Sequence, residues 1–390
     1  MLGTRIRQFR LSRGFSQDQL VDLIGGLVTK ASISKYEKEL AKPSNLVLNK
    51  IAKALNVKAA FLYSEPSLKI DFIGYRKGSG LLKKEESKVE AHVCELLEEY
   101  IKLKALTSFN KNPDIPVMKF NVTNYDDVEE VAENIRGIWK LGLDPISNIT
   151  TVLEDKGVFV ISLDAPEKFD GISAYASDKK NNILAAAVVS QRDIPGERQR
   201  LNLVHELGHL VLNVNPDLDE EKAAFRFGAA FLAPKDMLYH EVGTKRQSIR
   251  LEELFLLKKK LGLSMQALVY RLHDLGIVSD NFKKRFFISM SKRNWRKHEP
   301  NELKPEEPHW LKYNIYKAYA EGLVTLRKAE EMLGEKIDKD GGIVPNKCRS
   351  FVNLSAKERN RRLSAQAKIA APDYEIDSDW LDMGIKHESR

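Results

Sequence analysis

The sequence predicts a multidomain, mainly α-helical protein with an α+β domain at its centre. Three observations predict it. The chain has 390 residues, and at roughly 100–200 residues per domain that length suggests two or three domains. Its first 63 residues carry four short apolar stripes at helical spacing. Between residues 125 and 290, three short apolar runs stand among amphipathic helical patterns.

Ile6, Phe9 and Leu11 stripe the first helix, and Leu20, Leu23 and Ile24 the second. Ile33 and Tyr36 mark the third, and Leu46, Leu48, Ile51, Ala52 and Leu55 the fourth. Ser16 followed by Gln19 reads as a capping box. Gly25-Gly26 ends the second helix, and Ser44 or Asn45 caps the fourth. Residues 64–80, with Pro66, Gly74, Gly78 and Gly80, read as a linker. Residues 81–107 form a charged, heptad-like helix. It serves docking or dimerisation, or packs on its own domain. Helices are expected over 126–141, 149–155, 198–212 and 219–232, and strands over 157–163, 171–176 and 182–189. Residues 291–307 are polar and proline-bearing, which suits a linker. A helical pair, 310–321 and 325–333, follows, and beyond Pro345 the chain reads as disordered. The expected domains are 1–66, a small helical bundle; 67–124, linker and charged helix; 125–290, the α+β domain; and 291–390, a C-terminal helical region.

Composition narrows the function classes. Hydrophobic residues make up 43% and charged residues 30%, which is ordinary for a globular chain. No apolar run reaches the roughly 18 residues that span a bilayer. The start, Met-Leu-Gly-Thr-Arg-Ile-Arg, lacks the apolar stretch of a secretory signal. No membrane partner and a cytoplasmic location are expected. Cys94 and Cys348 are far apart and show no CxxC spacing, so neither a disulfide framework nor a thiolate zinc site is expected. The net charge of +8 is uneven. Residues 1–66 hold eleven Lys and Arg against five acids, a net +6. A compact basic module of this kind is a candidate polyanion binder.

Within that module, Lys30, Ser32, Ser34 and Lys35 can point outward from the third helix while Ile33 and Tyr36 point inward. Short polar and cationic side chains on one face, backed by apolar ones, are what a recognition helix presents to DNA. Gln17, opening the preceding helix, is placed to touch a phosphate. These residues resemble the Cro/repressor-type (XRE) helix-turn-helix family over residues 4–63. The resemblance implies that the helix near Thr29–Lys38 lies in the major groove, with Thr29 among the contacts, and that a dimer binds paired half-sites of double-stranded operator DNA. The Gly25–Thr29 turn is longer than the family's usual one.

The second motif is His205-Glu206-Leu207-Gly208-His209. Histidines at i and i+4 share one helix face, so both imidazoles can bind one zinc ion. Glu206 then faces the water on the metal and can take its proton. Leu203, Val204, Leu207, Leu210 and Val211 embed the helix, and Gly208 is read as leaving room beside the metal. A third ligand is needed. It is expected from the acidic start of the following helix, where Glu221 shares a face with Ala224 and Gly228, and Glu220 competes with it. Tyr175, Tyr239 and His240 are conceivable donors to a transition-state oxyanion. Nothing in their spacing singles them out, and each reads as structural.

The run from Arg200 through the HExxH motif, with Glu221-x-x-Ala224-x-x-Phe227 and Phe231-Leu232-Ala233-Pro234, resembles the ImmA/IrrE family of metallopeptidases. The likeness extends upstream through the three strand candidates, covering roughly residues 125–280. The family implies a zincin-like fold, Zn2+ held by His205, His209 and Glu221, and Glu206 as general base. It also implies a protein substrate that is a repressor or regulator, whose cleavage releases transcription in phage, mobile elements, defence or stress responses. Leu201-Asn202, Phe225 and Phe227-Gly228 depart from the family's usual residues without removing a ligand or the base.

The remaining readings stay open. The 310–333 pair looks like a second helix-turn-helix unit that reads DNA, binds a partner or packs on the peptidase domain. The basic stretch Lys283–Lys297, with Phe286, Phe287 and Trp295, either contacts nucleic acid or is a solvated linker. Two functions compete: a DNA-binding zinc endopeptidase, and a repressor or antitoxin-like regulator whose zincin domain is a non-proteolytic sensor or dimerisation module. A closed, purely structural zinc site is a weaker third, since no fourth protein ligand is evident.

Overall fold

Alternating apolar stripes close the first 63 residues into a five-helix bundle. The structure, a computed structural model, describes residues 2–63, 68–73, 82–107, 117–166 and 168–337. The bundle comprises α1 (Leu2–Ser12), α2 (Gln17–Leu23), α3 (Lys30–Glu37), α4 (Asn45–Ala54) and α5 (Ala59–Tyr63). Ile6, Phe9, Leu20, Ile24, Ile33, Leu48, Ile51 and Leu55 form its core. Ser16 makes the expected capping box with Gln19, and Ser44 caps α4. Gly25 and Gly26 both take left-handed backbone (φ 77° and 67°). A Cβ would strain both positions, so two glycines turn the chain between α2 and α3. Leu23 and Leu46, which fall on the expected stripes, are exposed instead.

Residues 69–73, inside the stretch expected to be linker, form strand β1 (Lys69–Ile73). The charged helix is α6 (Lys83–Thr107). Its apolar face, Val89, Val93, Leu97 and Tyr100, packs on the central sheet against Phe159, Ile161 and Val189. It also contacts α1 and the turn that follows it. Arg5 forks onto Glu98 at 2.6 and 2.8 Å, and Arg13 forks onto Glu95 at 2.7 and 2.8 Å. The helix is therefore a brace between the bundle and the sheet, and its apolar face is spent on the sheet instead of on a second α6. Burial pushes the Cys94 thiol on this helix up to about 12, so it is an inert thiol; Cys348 lies outside the described residues.

The chain continues with β2 (Phe120–Val122), α7 (Tyr125–Ile138), α8 (Ile149–Asp155), β3 (Val158–Leu163), β4 (Gly171–Ser177) and β5 (Ile183–Gln191). The HExxH helix α9 (Gly196–Val211) follows, then β6 (Leu212–Val214) and α10 (Glu220–Leu232). The sheet order is β1-β4-β5-β3, with β3 and β5 parallel and β1 and β4 antiparallel to their neighbours. Strand alternation gives the sheet two apolar faces. Phe159, Ile161, Ala187 and Val189 face α6, while Val158, Val160, Ala186 and Val188 face α9. β2 and β6 form a separate parallel pair.

Four helices complete the core beneath α9: α11 (Lys235–Val242), α12 (Leu251–Leu261), α13 (Met265–Asp274) and α14 (Asp280–Lys292). The aromatics of the basic stretch belong to this core. Phe286 is buried, and Phe287 and Trp295 pack against the cluster with Arg296 and Arg293 over their rings. They stack on the protein's own cations and core. Among buried ions, Arg271 forks onto Glu129, which Arg226 also binds.

The segment expected as a second linker is a strap tied across the start of α9. Gly196 N–H donates to the Leu303 carbonyl, and Leu303 N–H donates to Glu197. Gln199 and Glu306 exchange two bonds, and Arg200 pairs with Glu306. A side chain at Gly196 would collide with the Lys304 carbonyl. The strap runs into α15 (Trp310–Ala320), whose Trp310 packs on Tyr100 and Phe159.

The described residues divide into two units, one ending at Ile315 and the other beginning at Tyr316. In the second, α16 (Leu326–Leu333) is capped by Thr325 and ended by left-handed Gly334. The helical pair is present as expected; the tail beyond Pro345 lies outside the described residues.

Candidate metal centre and nucleic-acid interface

α9 is buried along nearly its whole length between the sheet and α10. Close packing against α10 is built from glycine. A Cβ on Gly208 would meet Phe227 Cδ1 at 3.1 Å and the Ala224 Cα at 3.2 Å. One on Gly228 would meet the His205 nitrogen at 3.3 Å. Gly208 therefore serves the helix–helix contact, not the space beside a metal that its position in the motif suggested.

That contact brings three donors together. His205 and His209 are each 3% exposed, and their Nε2 atoms lie 3.1 Å apart. Glu221, from the first turn of α10, puts Oε2 at 3.5 Å from His205 Nε2 and Oε1 at 3.5 Å from His209 Nε2. Metal–nitrogen bonds of 2.0–2.1 Å in a tetrahedron imply ligand–ligand separations of about 3.3 Å. The three donors fit one small divalent cation. Two imidazoles and a carboxylate are also the donor chemistry of such a site.

The competing acid has a different place. Glu220 Oε1 lies 3.4 Å from His209 Nδ1, on the far side of the ring from Glu221. It can hold the tautomer that leaves Nε2 free to ligate. Burial alone would lower the His209 pKa. The Glu221 contact and the charges of Glu206, Glu221 and Glu220 outweigh it, so the imidazole sits above its ordinary value.

Glu206 is 3% exposed and lies against the first residue of β4. A Cβ at Gly171 would stand 2.7 Å from Glu206 Oε1 and 2.9 Å from the Val189 carbonyl. Glycine at 171 is what lets the carboxylate and the strand share this space. Phe225, half-exposed, holds its ring 4.1 Å from that of His205 and walls the opening of the site. Neither role is visible in the motif. The glycine could be suspected only from the Gly-Ile-Ser start of a strand, and Phe225 only from its place one turn after Glu221. Tyr239 donates to the Leu275 carbonyl, His240 is 88% exposed beside Glu241, and Tyr175 bonds Asp71.

In the basic bundle, Thr29 is the N-cap of α3 and accepts from the Ser32 N–H. Lys30 and Lys35 are exposed, and Ser32 and Ser34 are partly so. Lys30 pairs with Asp18 at 2.7 Å, both 61% exposed. An exposed pair of this kind is worth about 0–1 kcal/mol and yields readily to a phosphate. Gln17 is half-buried, and its amide donates to Glu37, which also receives Arg10.

A basic helix-turn-helix module is thus joined to an α+β domain of metallopeptidase type. Residues 6–62 match the helix-turn-helix family, and residues 154–273 match the IrrE N-terminal-like domain of peptidase family M78, so the chain carries one domain of each. Over 62 residues it is 36% identical to the SPbeta prophage-derived uncharacterized HTH-type transcriptional regulator YonR of Bacillus subtilis (strain 168). That match covers 16% of this chain and 56% of the relative, so the chain spans about half the relative's length. A solved structure, ComR from S. thermophilus in complex with DNA and its signalling peptide ComS, aligns over 86% of this chain and 98% of that one. Its identity is 18% and its TM-score 0.18, too low to carry any argument. Among the described residues no helix is long and apolar enough to cross a membrane.

Proposed function

We propose that the protein is a DNA-binding regulatory zinc endopeptidase that cleaves a repressor or other regulator to control transcription. One observation carries the reading: His205 Nε2, His209 Nε2 and the Glu221 carboxylate converge within 3.1–3.5 Å, with Glu206 buried beside them. His205, His209 and Glu221 would hold the zinc ion. Bound there, zinc supplies Lewis acidity and lowers the pKa of water toward about 7.

The chain's own residues do the rest. The Glu206 carboxylate accepts a proton from the attacking water and returns it to the leaving amine. Its burial beside Gly171 keeps it aimed and poorly hydrated. Glu220 orients the His209 ring through Nδ1. Phe225 offers the substrate an apolar wall. Gln17, Thr29, Lys30, Ser32, Ser34 and Lys35 form the proposed contact surface for double-stranded operator DNA, bound by a cytoplasmic homodimer.

Glu206→Gln should keep the fold and bind zinc yet cleave nothing; retained cleavage would end this mechanism. Removing Lys30 and Lys35 together should weaken DNA binding and flatten its salt dependence, by about 0.9 in log–log slope per lost phosphate contact.

The α6 brace favours a second reading. Ion pairs fix α1 to α6, and α6 is packed on the sheet, so the state of the metal domain can reach the DNA module without proteolysis. Zinc-loaded protein that binds DNA tightly but never cleaves a candidate regulator would support a sensor or dimerisation role.

A further inference from the structure

We infer that strand β1 occupies the seat of the peptidase's own substrate. The substrate class is then an extended polypeptide that adds to the edge of β4. This rests on the peptidase reading above and deepens it.

β4 starts at Gly171, against Glu206. One edge of β4 is paired with β5. Its other edge is the backbone rim that runs past the candidate catalytic carboxylate. An extended peptide laid on such a rim gains main-chain hydrogen bonds regardless of sequence, with alternate side chains reading the pockets. β1 already lies there, antiparallel, in the register Lys69↔Ser177 through Ile73↔Ser173. The buried Ser173 hydroxyl donates to the Ile73 carbonyl at 2.9 Å and ties down the end nearest Glu206.

The direction is informative. β1 runs toward the site, and its Ile73 pairs with Ser173, two register positions from Gly171. A substrate strand continuing that register would come opposite Gly171 about 7 Å further on, with its backbone beside Glu206. β1 is also weakly held. It has five residues, none of them fully buried, and only Ile70, Phe72 and Ile73 touch the apolar clusters. Short, half-exposed edge elements belong to the low-stability end of a fold, and such a strand can be displaced. It lies in sequence directly after the helix-turn-helix bundle, so its occupancy belongs to the segment that joins the two modules.

The test is fluorescence anisotropy of a labelled peptide with the sequence of residues 68–73, titrated with full-length protein carrying Glu206→Gln. Ile70→Asn with Phe72→Asn removes the apolar anchors of β1. That variant should bind the peptide at least tenfold more tightly than the parent. Asp71→Cys with Tyr175→Cys, facing each other across the strands, should lock β1 in place when oxidised. The locked form should bind no peptide, and reduction should restore the parent's affinity. Equal binding by parent and anchor variant, binding by the locked form, or no binding by any form overturns the inference. None of these readings needs catalysis. Peptide capture in these assays, with no cleavage of any regulator by zinc-loaded protein that retains Glu206, therefore sinks only the peptidase reading.

Discussion

Exchanging the two adjacent acids of α10, one at a time, separates their roles. Glu221 lies 3.5 Å from both Nε2 atoms, whereas Glu220 reaches only His209 Nδ1, at 3.4 Å and with 59% of its side chain exposed. A zinc site of 10–16 kcal/mol spread over four ligands gives about 2.5–4 kcal/mol per ligand. At 1.4 kcal/mol per decade, Glu221→Ala should weaken zinc binding about 10²–10³-fold. Partners of a ligating histidine typically contribute 10–100-fold. The length and exposure of the Glu220 contact put Glu220→Gln at about tenfold or less. Competition against a chromophoric zinc chelator at fixed pH measures both. If Glu220→Gln costs as much as Glu221→Ala, the ligand assignment is wrong and the two acids exchange roles.

Three further perturbations test the surrounding architecture. Gly208→Ala would gain up to about 1 kcal/mol from helix propensity alone, but the 3.1–3.3 Å approach of Phe227 and Ala224 predicts a net loss of about 1–3 kcal/mol. A raised urea midpoint would refute the tight α9–α10 contact. Arg271→Met, at a fully buried side chain that donates to Glu129 at 2.8 Å and to the Ala233 carbonyl at 3.0 Å, should cost about 3–5 kcal/mol. An undiminished thermal midpoint would contradict that. At the α1–α6 brace, burial alone would raise the Glu95 carboxyl pKa, but the Arg13 guanidinium and Ser12 hydroxyl outweigh it and hold it below the ordinary value. Its stabilisation is therefore present above the unfolded pKa of about 4.3 and lost as pH falls through the lower folded value. Glu95→Gln should be less stable than wild type at pH 7 by about 1–3 kcal/mol, with the gap closing below about pH 4. A gap that is constant with pH would show that the pair contributes no charge term.

Much of this architecture was legible because it is written in local periods. The sequence-based bounds of α8 coincide with the structure, and those of the three central strands fall within two residues of it. The Ser16 capping box and the Gly25-Gly26 turn were legible because caps and left-handed turns depend on few residues. The linker readings failed at 69–73 and 291–307 for one reason. A short polar stretch has no period of its own, and its order comes from partners elsewhere: β4 for Lys69–Ile73, and Glu197, Gln199 and Arg200 for the strap. Leu23 and Leu46 lie on helical stripes yet are exposed, because a stripe gives a direction, not a neighbour to meet it.

The order of residues alone determined that two imidazoles share a helix face with a carboxylate between them, and that a basic helical module precedes them. These are consequences of a 3.6-residue turn and of composition. Which acid meets the imidazoles, why residue 208 must be glycine, and what lies along the edge of β4 were decided by tertiary packing. Each depends on the distance between chain segments remote in sequence, and those distances are set only when α9, α10 and the sheet close on a common core.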